Sequence, residues 1–117
     1  MTQEEIARAF SNGRFELTYP FLADDAKWTI IGEGENEFEG KQAIIDNCEQ
    51  TAAYFKSVTT KFETLNCIAD VNRVAVNGTA AFIRNNKQVA FISACDVYEF
   101  NDENKLESIT SYCIRGK

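Results

Sequence analysis

The chain has 117 residues, 44% of them apolar and 26% charged, the profile of one globular domain over 1–117 rather than of a disordered or fibrous segment. Its 12 Lys and Arg against 18 Asp and Glu leave a formal charge of −6, which opposes nucleic-acid binding and docking to an anionic membrane, and no window is apolar enough for a spanning helix. The histidine count is zero, which excludes Ser-His-Asp and Cys-His triads and His-containing zinc sites, so any acid or base must be a carboxyl, Tyr, Lys or Cys.

Thr2 and Glu5 form a capping box, Ile6 and Phe10 an i, i+4 apolar pair, and Gly13 a stop, which predicts a first helix over Thr2 to Asn12. Phe15, Tyr19 and Leu22 then repeat at helical spacing, predicting a second helix that ends at Asp24-Asp25 and is kinked or broken near Glu16 to Tyr19 by Pro20. Lys27 to Ile31 reads as a short strand, and Gly32 to Gly40, with Glu33, Glu35, Glu37 and Glu39, as an exposed acidic hairpin or loop. Lys41 to Val58 returns to helical period with Ile44, Cys48 and Phe55 on one stripe. Four long strands follow, Thr59 to Ala69, Arg73 to Arg84, Gln88 to Phe100 and Lys105 to Ile114. Their Asn- and Asp-rich connectors are too short for crossovers and predict an antiparallel meander. The expected fold class is α+β: three N-terminal helices packed in a strongly curved antiparallel sheet, forming a cone with a pocket at its wide end.

Cys48, Cys67, Cys95 and Cys113 show no CxxC spacing and no neighbouring ligand types, and the first residues carry no secretory pattern. They are expected to be reduced thiols in a cytoplasmic protein without a metal. No phosphate-binding or dinucleotide motif is present, so no cofactor is expected either.

The element order and several local strings resemble the NTF2-like superfamily, and within it the SnoaL-like and ketosteroid-isomerase-like small domains. The strings are the Asn12-Gly13 junction, Leu22-Ala23-Asp24-Asp25-Ala26-Lys27-Trp28, Gly32, and Phe38-Glu39-Gly40-Lys41-Gln42-Ala43-Ile44. Further along come Ile68-Ala69-Asp70, Arg73 to Thr79, Asp96-Val97-Tyr98-Glu99-Phe100 and Asn104-Lys105-Leu106. The resemblance implies a cystatin-like or NTF2-like roll around a small-molecule pocket, and it specifies fold better than activity. Ketosteroid isomerase uses a carboxylate base with a Tyr and a neutral acid. Its neutral acid falls on Asp96, but its base falls on or near Ile30 and its Tyr near Ile6, which removes that arrangement. The epoxide hydrolases of the fold place Arg two residues before an Asp, where this chain has Ala94, and the dehydratases need His. The single acid/base carboxyl of the polyketide cyclases is compatible with Asp96.

The candidate acid/base is therefore Asp96, with Tyr98 or Tyr19 as its hydrogen-bond partner. The candidate ligand wall is Phe10, Tyr19, Trp28, Ile30, Phe55 and Tyr98. Arg84 and Arg115 could clamp a carboxylate, although their positions near strand ends read as solvent-facing. Three functions stay open: a cyclase- or isomerase-type enzyme, a non-catalytic binder of a small apolar ligand, and an association module. Under each, a homodimer through an outer sheet face containing Phe91, Ser93, Cys95 and Val97 is expected, as the resemblance implies.

Overall fold

Helix α1 (Gln3–Ser11) starts where the capping box places it. Thr2 Oγ1 accepts the Glu5 amide at 3.1 Å and Glu5 Oε1 accepts the Thr2 amide at 2.8 Å, which satisfies two amides that a helix start otherwise leaves bare. In this computed structural model residues 1–32 and 36–116 are described, so Glu33 and Glu35 of the acidic stretch lie outside the described residues. The buried face of α1 carries Ile6, Ala7, Ala9 and Phe10. Gly13 turns the chain at φ +79°, where a Cβ would press on the rings of Phe55 and Phe62 at 3.1 and 3.2 Å.

The second predicted helix is not an α-helix running to Asp25. Phe15–Phe21 forms a short 3₁₀ helix, and at Leu22 the backbone is already extended. Pro20 supplies no amide and restrains the residue before it, which shortens the helix. The LADDA run then finds partners in a sheet: strand β1 covers Leu22–Ile31, with an irregularity between Leu22 and Lys27. Strand β2 (Asn36–Glu39) pairs antiparallel with β1, so part of the predicted acidic loop is a hairpin arm, with Glu37 in an ion pair with Lys27. Helix α2 (Lys41–Lys56) buries Ile44 and Cys48. The helices are thus two α-helices and one 3₁₀ helix, and α2 follows β1 and β2 rather than joining an N-terminal trio.

Strands β3 (Thr59–Asp70), β4 (Arg73–Arg84), β5 (Lys87–Phe100) and β6 (Leu106–Arg115) form the predicted meander. Its turns use left-handed asparagines: Asn72, Asn85, Asn86 and Asn104 all have φ between 53° and 63°. Asn85 and Asn86 form the two-residue turn between Arg84 and Lys87, where both central residues need positive φ. The sheet is not wholly antiparallel. Its order is β2-β1-β6-β5-β4-β3, and β1 runs parallel to β6, which makes it an open six-stranded mixed sheet. The parallel pair arises because β1 and β6 are linked through α2 and the meander and not through a hairpin.

One face of the sheet receives the helices, α1 against β4 and α2 against β1. Tyr98, Leu106, Ile109, Val74 and Ile6 are almost wholly enclosed there and form a solid core. Gln3 Nε2 donates to Asn72 Oδ1 at 3.1 Å and to Asn104 Oδ1 at 2.8 Å, fastening the first turn of α1 to two strand connections.

Candidate functional site

Alternation along β5 points Ile92, Ala94, Asp96, Tyr98 and Phe100 to the helix side. Tyr98 and Phe100 are packed solid, whereas Asp96, Ala94, Ile92 and Ala90 line a cavity of about 370 Å³. The space is left where small strand residues, Gly78, Ala80, Ala90 and Ala94, line the wall together with larger rings such as Phe10, Phe15 and Phe55 from the helices. Gly78 is obligatory in a second way: a Cβ there would stand 2.5 Å from the Glu63 carbonyl oxygen, beside the irregularity of β3 between Thr64 and Asn66.

Phe10, Trp28, Ile30, Phe55 and Asp96, all singled out from the sequence, line this one cavity. Phe10 meets Phe15, Trp28 and Tyr98 edge to face at centroid distances of 5.1, 5.0 and 6.0 Å, an arrangement that fixes the wall. Ile30 is part of the lining and Ile6 is fully buried in the core, so both positions are apolar in space as in sequence.

Asp96 closes the floor. Its Oδ2 accepts the Ser11 hydroxyl at 2.7 Å, and Ser11 Oγ lies 2.5 Å from Tyr98 Oη. Either hydroxyl can donate in the Ser11–Tyr98 contact, and both groups bond the Asp96 carboxyl. Ser111, opposite Asp96 in the β5–β6 register, takes the Trp28 Nε1 hydrogen at 3.0 Å and bonds the Asp96 carboxyl. Burial pushes the Asp96 pKa above its ordinary value, and the bonds from Ser111, Ser11 and Tyr98 recover only part of that cost. Tyr98 is driven well above its usual range by burial and then by the charge of Asp96, so it stays a neutral donor.

Two of the sequence-predicted positions stand elsewhere. Tyr98 is wholly enclosed behind the cavity wall, and its hydroxyl bonds both Ser11 and the Asp96 carboxyl. Tyr19 lies in a separate surface cleft with Glu49 and Ala52, its hydroxyl pushed up to about 12, first by burial and then by the neighbouring Cys48 and Glu49. The 3₁₀ helix explains this: its tighter turn gives the inward position to Phe15. Ser11 and Ser111 were not identified from the sequence. Ser11 stands four residues after the fully buried Ala7, and Ser111 two residues after Ile109 on the inner side of β6, so periodicity places both facing inward but does not mark them as partners of Asp96.

Phe91, Ser93, Cys95 and Val97 alternate with the lining residues and occupy the opposite sheet face, half-buried. All four cysteines are thiols, and burial raises the Cys48 thiol to about 12. Among the described residues no cluster of three metal-ligating side chains occurs, and no helix is long and apolar enough to cross a membrane.

Residues 4–108 match the family model of the SnoaL-like domain. An NTF2-like protein of unknown function from Cytophaga hutchinsonii is 32% identical, with 94% of each chain covered and a TM-score of 0.82. A protein provisionally named a ketosteroid isomerase, from Kribbella flavida, shares 14% identity over 98% of this chain and 79% of its own, with a TM-score of 0.75. Another, provisionally named a SnoaL-like polyketide cyclase, from Shewanella putrefaciens, shares 16% over 97% and 80%, with a TM-score of 0.72. The last two likenesses are of fold alone. No curated protein matches the chain at a significant level.

Proposed function

The chain belongs to the SnoaL-like domain family, and on that premise we propose that it binds a small, largely apolar carbonyl compound in the cavity above Asp96 and moves a proton on it. The observation that carries this reading is one carboxyl, raised in pKa by burial and held by Ser11 and Ser111, at the floor of an otherwise aromatic and aliphatic cavity. A carboxylate stripped of water is a stronger base than an exposed one. In that form Asp96 takes a proton from the carbon next to the carbonyl, and the electron pair of the C–H bond moves to the carbonyl oxygen as an enolate. The same carboxyl then returns the proton to the same or to a conjugated carbon, the outcome of an isomerisation. With an electrophilic carbon in reach, the enolate closes a ring instead.

A second reading is favoured by a specific feature: Ile30 and Ile6 stand where the ketosteroid-isomerase arrangement places its base and its Tyr, which leaves Asp96 without those partners. In that case the cavity holds its ligand without turnover. In either case the outer sheet face of Phe91, Ser93, Cys95 and Val97 is proposed to pair with a second copy, and the thiols fit a reducing, cytoplasmic setting.

Deuterium exchange separates the two readings. With 2-tetralone in D₂O, followed by proton NMR, the wild type is expected to accelerate exchange next to the carbonyl over buffer, by tenfold or more. Asp96→Asn is expected to abolish the acceleration. Ligand-induced shifts of cavity resonances without accelerated exchange would establish binding without turnover.

A further inference from the structure

Helix α2 gives the cavity Asn47, Thr51, Tyr54 and Phe55, spaced i, i+4, i+7 and i+8, so one stripe of the helix faces the ligand space. The two ends of that stripe stand at different depths. At the outer end Phe55 meets Phe62 and Phe82, with centroids 5.4 and 5.6 Å apart, and these rings are in the cross-strand rows of Ile92 and Ala90. At the inner end Asn47 is flanked by Ile44 and Cys48, both fully buried in the core that also holds Trp28 and Tyr98. From the outer rows Asp96 is four to six residues down β5, about 13 to 20 Å, and from Phe55 Asn47 is eight residues down α2, about 12 Å. Asn47 therefore belongs to the floor half of the cavity, with Asp96.

The other polar groups at this depth are already engaged. Ser11 bonds Asp96, Ser111 takes the Trp28 hydrogen, and Asn12 Nδ2 donates to the Arg8 carbonyl at 2.7 Å and to Thr64 Oγ1 at 3.3 Å. Thr51 Oγ1 donates to the backbone carbonyl of Asn47 at 2.9 Å, which leaves the Asn47 side chain out of the bond. Among the described residues the carboxamide of Asn47 has no hydrogen-bond partner, although the residue is half-buried on the lining. Its two N–H hydrogens are free for a ligand.

We propose that Asn47 is the donor for the ligand's carbonyl oxygen: its Nδ2 holds that oxygen in the bound ketone, and the enolate oxygen once Asp96 has taken the neighbouring proton. This rests on the reading of Asp96 as the proton-moving group, and it supplies from α2 the donor that Ile6 on α1 does not. The step balances between the two side chains and the ligand. The proton goes to the Asp96 carboxylate, the C–H electron pair becomes the new C=C bond, and the C=O π pair moves to oxygen, while the amide gives a hydrogen bond and keeps its own protons. A neutral donor suits the site, because a cation there would hold Asp96 ionised and weaken it as a base. An oxygen that turns negative gains more from a fixed donor in an apolar cavity than it gains from water.

Isotope-edited infrared difference spectra of bound 2-tetralone, labelled at the carbonyl carbon, test this beside its deuterium exchange. Asn47→Leu keeps the size of the side chain, removes both hydrogens and favours the helix, so the variant is expected to fold. It is expected to move the bound C=O stretch upward, toward its position in cyclohexane, and to slow exchange about 100-fold. A stretch unchanged in Asn47→Leu overturns the role of Asn47, even where exchange slows, because the loss then arises elsewhere in the fold. If Asp96→Asn still abolishes exchange in that event, the floor reading stands. A wild type that binds 2-tetralone without accelerating exchange overturns the proton transfer instead. The stretch needs no turnover, and it still rises in Asn47→Leu if the amide holds the carbonyl and stays in place if it does not. Should the wild type show no saturable band for bound 2-tetralone, both readings fall together.

Discussion

The Ser11 hydroxyl donates to Asp96 and also meets the Tyr98 hydroxyl, so a side chain of two heavy atoms supplies one of the bonds that oppose burial at the floor carboxyl. Its bond favours the ionised carboxyl, and removing it lets burial act with less opposition. Ser11→Ala is therefore expected to move the Asp96 titration upward, read by carboxyl carbon NMR, at a stability cost of about 1 kcal/mol. The same linkage fixes a pH dependence. Because burial holds the folded pKa of Asp96 above the ordinary 3.8, the folded state keeps the proton more tightly than the unfolded chain. The stability from this group is complete below the ordinary value and is lost as pH rises through the folded one. Asp96→Asn does not ionise, so urea melts between about pH 4 and about pH 8 should shift progressively in its favour. A constant difference across that range would contradict the raised pKa. Asp96 was legible through the resemblance, as the position on which the neutral acid of ketosteroid isomerase falls, with alternation along the strand naming its companions on that face. Ser11 and Ser111 were not, since a small polar residue on an apolar stripe leaves the hydrophobic period intact and gains meaning only from the partner that the fold brings to it.

The elements divide along the same line between local and distant information. The cap of α1, the Asn-rich connectors and strands β3 to β6 were readable because each is determined within a few residues: Thr2 with Glu5, Asn85 with Asn86, and alternation along β5. The extended run from Leu22 and the parallel β1–β6 pairing were not. Leu22 takes its partner at Leu106, and local spacing contains nothing about a strand that far away. Where the two meet, Gly32 ends β1 at φ +110°, and a Cβ there would stand 1.9 Å from the Cys113 carbonyl oxygen of β6. Gly32→Ala has to move backbone as well as accept a strained conformation, and it is expected to cost about 2 kcal/mol or more. Gly40→Ala, at φ +92° with its nearest neighbour 3.8 Å away, carries the strain alone and is expected to cost about 1 kcal/mol. Thermal melts that rank the two variants the other way would show that the β1–β6 junction is not tightly packed.

For the molecule as a whole, the two faces of the sheet have separate duties: one holds core and cavity, while the other leaves Phe91, Cys95 and Val97 half-buried and Tyr112 and Ile114 exposed. If the outer face pairs two copies, sedimentation at micromolar concentration gives a dimer, and Val97→Glu, which sets like charges against each other at the contact, gives a monomer with cavity binding retained. A wild-type monomer would remove the pairing. The order of the strands carries one more consequence, for the growing chain. Strand β6 is the last of the six to be synthesised yet stands between β1 and β5, so until it emerges the β2–β1 arm and the β5–β4–β3 ribbon share no strand. Two open edges wait for the same segment, and that segment also brings Ser111 and Arg115. Synthesis of β6 therefore completes the sheet and the cavity wall together, and a nascent chain gains both in a single closing step.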